Sequence, residues 1–178
     1  MTEQEILNFW FIECSPSDWW KKDSTFDQLI KYRFGSLHAK AIKGELYSWR
    51  NTPQGSLAEI IILDQFSRNI YRDNPESFAN DIVAVVLAQA AISKNFDQPL
   101  SIDERSFLYM PLMHSESLLI QQQGQPLFKS LARDNTINFA KQHIDIIVRF
   151  GRFPHRNRVL GRKSTAKELE FLTTHNGF

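Results

Sequence analysis

Apolar residues along this chain return every third or fourth position. Phe26, Leu29, Ile30, Phe34, Leu37 and Ala41 form one such series, and Phe139, His143, Ile146, Ile147 and Phe150 another; this spacing lines one face of a 3.6-residue helix. The starts of the series are marked chemically. Thr2 with Glu5, Ser15 with Pro16 and Asp18, Ser24 with Asp27, Ser101 with Glu104, and Thr165 with Glu168 each place a hydroxyl ahead of an acid three residues on. From there the carboxylate reaches back to the cap amide. Asn74 before Pro75 marks a further start. The pattern predicts helices over 2–12, 16–21, 24–48, 55–70, 75–95, 102–109, 111–123, 125–133, 136–150 and 165–175. The β-branched run 60–63 competes as a strand, yet Leu57, Ala58, Phe66 and Ile70 carry the helical period through it. Short links between neighbours then give an all-α fold of stacked antiparallel helical hairpins. The 34-residue tetratricopeptide consensus is not visible.

Composition narrows the class. A chain of 178 residues with 42% hydrophobic content fills one sizeable core, and no linker or low-complexity tract divides it, so one domain over 1–178 is expected. Cys14 has no cysteine partner, and the N-terminus lacks a charged-then-apolar leader; the cytoplasm is the expected location. The apolar run 82–92, interrupted by Gln89, falls short of the roughly 18–20 residues that span a bilayer and reads as a core helix, so no membrane role is expected. With 21 basic against 20 acidic residues, the net charge of +1 argues against a nucleic-acid partner.

Several segments resemble the bacterial family known as domain of unknown function 924, in order and over nearly the whole chain. They are Ile6-Leu-Asn-Phe-Trp-Phe11, Trp20-Lys-Lys-Asp23 leading to Phe26-Asp27, Leu63-Asp-Gln-Phe-Ser-Arg-Asn69, Phe107-Leu-Tyr-Met-Pro-Leu-Met-His-Ser-Glu116, and His143 with Arg149-Phe-Gly-Arg-Phe-Pro-His-Arg-Asn157 and Leu160-Gly-Arg162. The resemblance implies an all-α, tetratricopeptide-like fold and carries no activity, cofactor or catalytic residue with it. Where the family commonly shows proline after Leu-Asp-Gln-Phe, this chain has Ser67, which lets a helix continue where proline would break it.

The candidate chemistry sits late in the chain. No acid occurs from 146 to 167, while Arg149, Arg152, Arg156, Arg158, Arg162, Lys163 and Lys167 do, interleaved with Phe150, Phe153, Pro154 and His155. Guanidinium groups donate parallel hydrogen bonds to phosphate or carboxylate and stack on rings; the plainer reading pairs them with acids of other helices. Asp64 and Arg68 stand four apart with Arg72 a turn further, the order of a helical ion pair. Two functional hypotheses follow. In the first, Arg68, Asn69, Arg149, Arg152, Arg156 and Asn157 bind a small anionic molecule or an acidic peptide end. In the second, a hydrolase-type enzyme acts on a phosphorylated or carboxylated metabolite, with His155 or His143 as general base and Asp64 as its orienting acid. A third reading makes the same residues hydrogen-bond staples between helices. His114 and Glu116 are set aside, because residues two apart on a helix point to opposite sides. No ligand spacing for a metal and no nucleophile elbow is present. Cys14 reads as a buried thiol, and Phe9, Trp10, Phe11, Trp19, Trp20, Phe26 and Phe34 as an N-terminal core cluster.

Overall fold

The computed structural model describes residues 1–175 and 177, and among them every regular element is helical. The α-helices are α1 (Glu3–Asn8), α2 (Ser24–Ala41), α3 (Pro53–Ile61), α4 (Ser67–Ile70), α5 (Asp81–Ser93), α6 (Ile102–His114), α7 (Leu118–Ser130), α8 (Asp134–Phe150) and α9 (Ala166–Leu172). The run over residues 60–63 is helical, as its flanks require. Capping boxes form at Thr2, Ser101 and Thr165. For α2 the cap lies one residue earlier than expected, with Asp23 accepting from the amides of Thr25 and Phe26. The expected helix from Asn74 is only a 3₁₀ turn, Pro75–Phe78, and α5 begins at Asp81. Likewise the stretch 16–21 condenses to the 3₁₀ turn Asp18–Trp20.

Two boundaries differ in ways that matter for the site. The expected helix 24–48 ends at Ala41, because Gly44 adopts a left-handed φ of 73° that turns the chain. Pro111 and Pro126, placed in the first turns of the expected helices 111–123 and 125–133, lie inside α6 and α7. The real break is Ser115–Ser117, where Gln121 Nε2 donates to the carbonyls of Met113 (2.9 Å) and Ser115 (2.8 Å). Those two bonds satisfy carbonyls that a helix end leaves open.

The core is one contiguous apolar cluster running from Ile6 to Ala140, with a small satellite of Ile146, Ile147 and Phe153. Phe9, Trp10, Phe34 and Phe66 pack as an aromatic group at its N-terminal end, with Phe34 stacked on Phe66 and the other pairs tilted or edge-on. Between α3 and α4 the chain forms a wide π turn, Ile62–Phe66, and all five residues are buried. Helix thus continues past Ser67, whose hydroxyl donates to the Leu63 carbonyl (2.6 Å) and so accepts from His38 Nε2 (2.8 Å). Such turns break the 3.6-residue register locally; here the turn carries Asp64 into the interior.

Candidate functional site

Asp64 is buried to 1% exposure, and a bare carboxylate at that depth is unfavourable unless it is paired and hydrogen-bonded. It is both. Its Oδ1 faces His114 Nδ1 at 2.8 Å and Arg68 Nη1 at 3.1 Å, while Gln65 Nε2 donates to Oδ2. Burial alone would raise the Asp64 pKa, but Arg68 and His114 more than offset it and hold the carboxyl well below its ordinary range. An ionised carboxylate only accepts, so the His114 proton sits on Nδ1 and Nε2 is the unprotonated nitrogen. Burial pushes the His114 pKa below its usual value, with Asp64 acting in the opposite sense. His114 is therefore neutral near pH 7.

The network continues outward. Arg68 Nη2 lies 3.0 Å from Asp81, the first residue of α5, and Arg156 Nη1 lies 2.8 Å from the same carboxylate. Arg156 Nη2 donates to the backbone carbonyl of His114 (2.9 Å). Its guanidinium is sandwiched by Phe78 and Phe153, at 4.5 and 4.7 Å from the ring centroids, a cation–π arrangement that favours the charge in a desolvated place. Beside it, Glu116 accepts from both terminal nitrogens of Arg162 (2.7 and 2.8 Å) and from the Phe153 amide (2.7 Å).

The network backs a cleft of about 310 Å³. Pro75, Phe78, Ala79, Ile82, Val85 and Leu160 form an apolar wall, and Asp81, His114, Ser115, Glu116 and Arg156 form the polar end. His114 and Glu116 share the cleft because α6 stops at His114. The helical geometry that separates residues two apart does not apply across that break, which corrects the ground on which the pair was set aside.

The structure separates the residues singled out from sequence. Arg68 and Arg156 meet on Asp81. Arg152 instead pairs with Glu168 of α9 (2.6 and 2.8 Å) and with the Lys163 carbonyl, pulling the Glu168 pKa down to about 2. Arg149 lies over Phe150 and Phe171 on the surface. Asn157 is buried between Arg162 and Ser164, and Asn69 donates to Asp27, the carboxylate that also receives Arg72. His143 donates from Nδ1 to the Phe139 carbonyl (2.7 Å), with its ring 6.1 Å from that of His114. His155 packs against Phe153. Burial pushes both pKa values to about 3, and neither ring is part of the cleft lining. Three arginines of the acid-free run, Arg152, Arg156 and Arg162, are thus paired from outside it, by Glu168, Asp81 and Glu116. Asp81 carried no signal in the sequence, where it fell inside the expected helix 75–95. Among the described residues, no three His, Cys, Asp or Glu side chains group closely enough to hold a metal ion.

Residues 6–176 match the family described as "Bacterial protein of unknown function (DUF924)". A solved structure of a protein of unknown function from Agrobacterium tumefaciens is similar over 97% of each chain, with 37% sequence identity and a TM-score of 0.93. No curated protein matches.

Proposed function

Because the chain belongs to the bacterial family of unknown function DUF924, whose description carries no activity, we propose a function from the cleft itself: a hydrolase-type enzyme with His114 as general base. Asp64 orients the imidazole, and Arg156 stabilises developing negative charge. The supporting observation is the Asp64–His114 pair. A buried, ionised acid fixes the tautomer of a neutral histidine that lines a cleft with an arginine beside it. That set replaces His155 and His143 by His114 and keeps Asp64 in its expected role.

In the step this set supports, a water oxygen attacks the electrophilic carbon or phosphorus of the substrate while His114 Nε2 takes the water proton. The bond to the leaving oxygen breaks, and the imidazolium returns the proton to it. Asp64 stays ionised throughout and favours the transient imidazolium. Arg156 uses one N–H of Nη1 on Asp81 and one of Nη2 on His114. Each terminal nitrogen carries a second N–H for the developing oxyanion.

The test is His114→Asn, which keeps a donor near Asp64 and deletes Nε2. Against a screen of carboxylic and phosphoric esters, kcat falls about 10²- to 10⁴-fold with an unchanged circular dichroism spectrum. Turnover that survives both His114→Asn and Asp64→Asn removes this reading. A second reading, holding of a small anion or acidic peptide end without turnover, draws on the Arg156 N–H groups that Asp81 and the His114 carbonyl leave unused at the cleft. Its mark is saturable binding of phosphate or a dicarboxylate that is lost in Arg156→Gln, with no ester cleaved.

A further inference from the structure

The charges at the cleft cancel. Asp64, Asp81 and Glu116 stand against Arg68, Arg156 and Arg162, each carboxylate within 3.1 Å of a guanidinium nitrogen, and burial keeps His114 neutral. Of these six charged groups, those that line the cleft are Asp81, Glu116 and Arg156, two negative and one positive. A fourth negative charge entering here would shed its water and meet no cation without a counter-ion already at contact distance. The apolar wall is broader than the polar end, and the volume lies at the low end for small-molecule sites, about 300 Å³.

We infer that the part of the substrate entering this cleft is an uncharged amphiphile: a compact aliphatic body against Phe78, Ile82, Val85 and Leu160, with a neutral ester- or amide-like head at His114 and Arg156. This rests on reading the cleft as the reaction site and narrows the chemistry of what it takes. The head's carbonyl oxygen accepts from the second N–H groups of Arg156, so binding leaves the Asp81 and Glu116 pairs intact. Contact with the wall supplies affinity in proportion to aliphatic length.

Three probes with the same carbon skeleton and different charge, hexanamide, hexanoate and hexylammonium, test this by titration with the His114 ring followed by NMR. Hexanamide binds at least tenfold more tightly than either ion and shifts the His114 signals. Butanamide binds more weakly by about fourfold for each methylene removed, and Leu160→Ala and Ile82→Ala both weaken hexanamide while leaving the ions unchanged. Equal or tighter binding of either ion, or a hexanamide titration that leaves His114 unmoved, overturns the inference. The His114→Asn turnover measurement stands apart. Loss of turnover in that variant together with a preference for hexanoate defeats the substrate class and keeps the base. Unchanged turnover with hexanamide seated at His114 does the reverse.

Discussion

The carboxylate of Asp81 lies 2.8 Å from the guanidinium of Arg156, 75 residues further along the chain. That contact ties the first turn of α5 to the segment that follows α8, and through Arg68 it ties both to the π turn bearing Asp64. Replacing Asp81 with Ala leaves the buried Arg156 guanidinium without its carboxylate and Arg68 with Asp64 alone. The expected loss is about 3–5 kcal/mol of folding stability, measured by urea denaturation. A loss below about 1 kcal/mol would show that solvent already screens the pair.

Arg152 has a different role from its neighbour four residues on. Its two bonds to Glu168 hold the first turn of α9, where Glu168 also completes the capping box with Thr165. In Arg152→Ala, amide hydrogen exchange over residues 166–172 quickens while exchange over α6 does not, and probe binding at His114 is retained. Loss of that binding in Arg152→Ala would place Arg152 in the site after all.

Acid should loosen the fold before it protonates the folded histidines. His143 and His155 are pushed by burial to about 3, and His114 and His38 are also lowered. In the unfolded chain these rings take protons as the pH falls below about 6.5; in the folded chain His143 and His155 do so only near pH 3, and His114 and His38 only below their ordinary value. The unfolded state therefore binds more protons between those limits, and stability falls with pH across that window by up to about 1.4 kcal/mol per unit for each histidine. Asp64, Glu116 and Glu168 are held below their ordinary values and act in the same direction at lower pH. Urea midpoints at pH 7.5, 6.0 and 5.0 should decline, and His143→Gln should flatten the decline. Midpoints independent of pH contradict the buried, neutral assignment.

Cys14 is buried, and burial raises its thiol to about 11. With so little thiolate at pH 8, a disulfide reagent should label native protein slowly and unfolded protein at the rate of a free thiol. Rapid labelling of the native chain would show that the segment after the π turn Phe9–Glu13 opens readily.

Local chemistry made the helices legible, and tertiary contacts decided what the sequence left open. The boxes at Thr2, Ser101 and Thr165 could be read directly because cap and acid are three residues apart. Pro111 misled, because a proline in a fully packed helix is offset by burial of its neighbours from Phe107 to Met113, a compensation invisible in a one-dimensional pattern. That single boundary hid His114 and Glu116, which the expected helix 111–123 would have set on opposite faces. Asp64, Arg68 and Arg156 were visible by residue type and spacing. Which arginine met which acid was not, since Glu116–Arg162 and Asp81–Arg156 span 46 and 75 residues.

The π turn at Ile62–Phe66 behaves as an inserted spacer in a rod. Winding the same five residues at ordinary α pitch would turn everything after them by about 100°, one residue's rotation, relative to α3. Arg68 would swing out of line with Asp81, Ser67 would leave His38, and Asn69 and Arg72 would lose Asp27 together. In this protein, the wide winding between Ile61 and Ser67 counts for as much as the identity of any single side chain there.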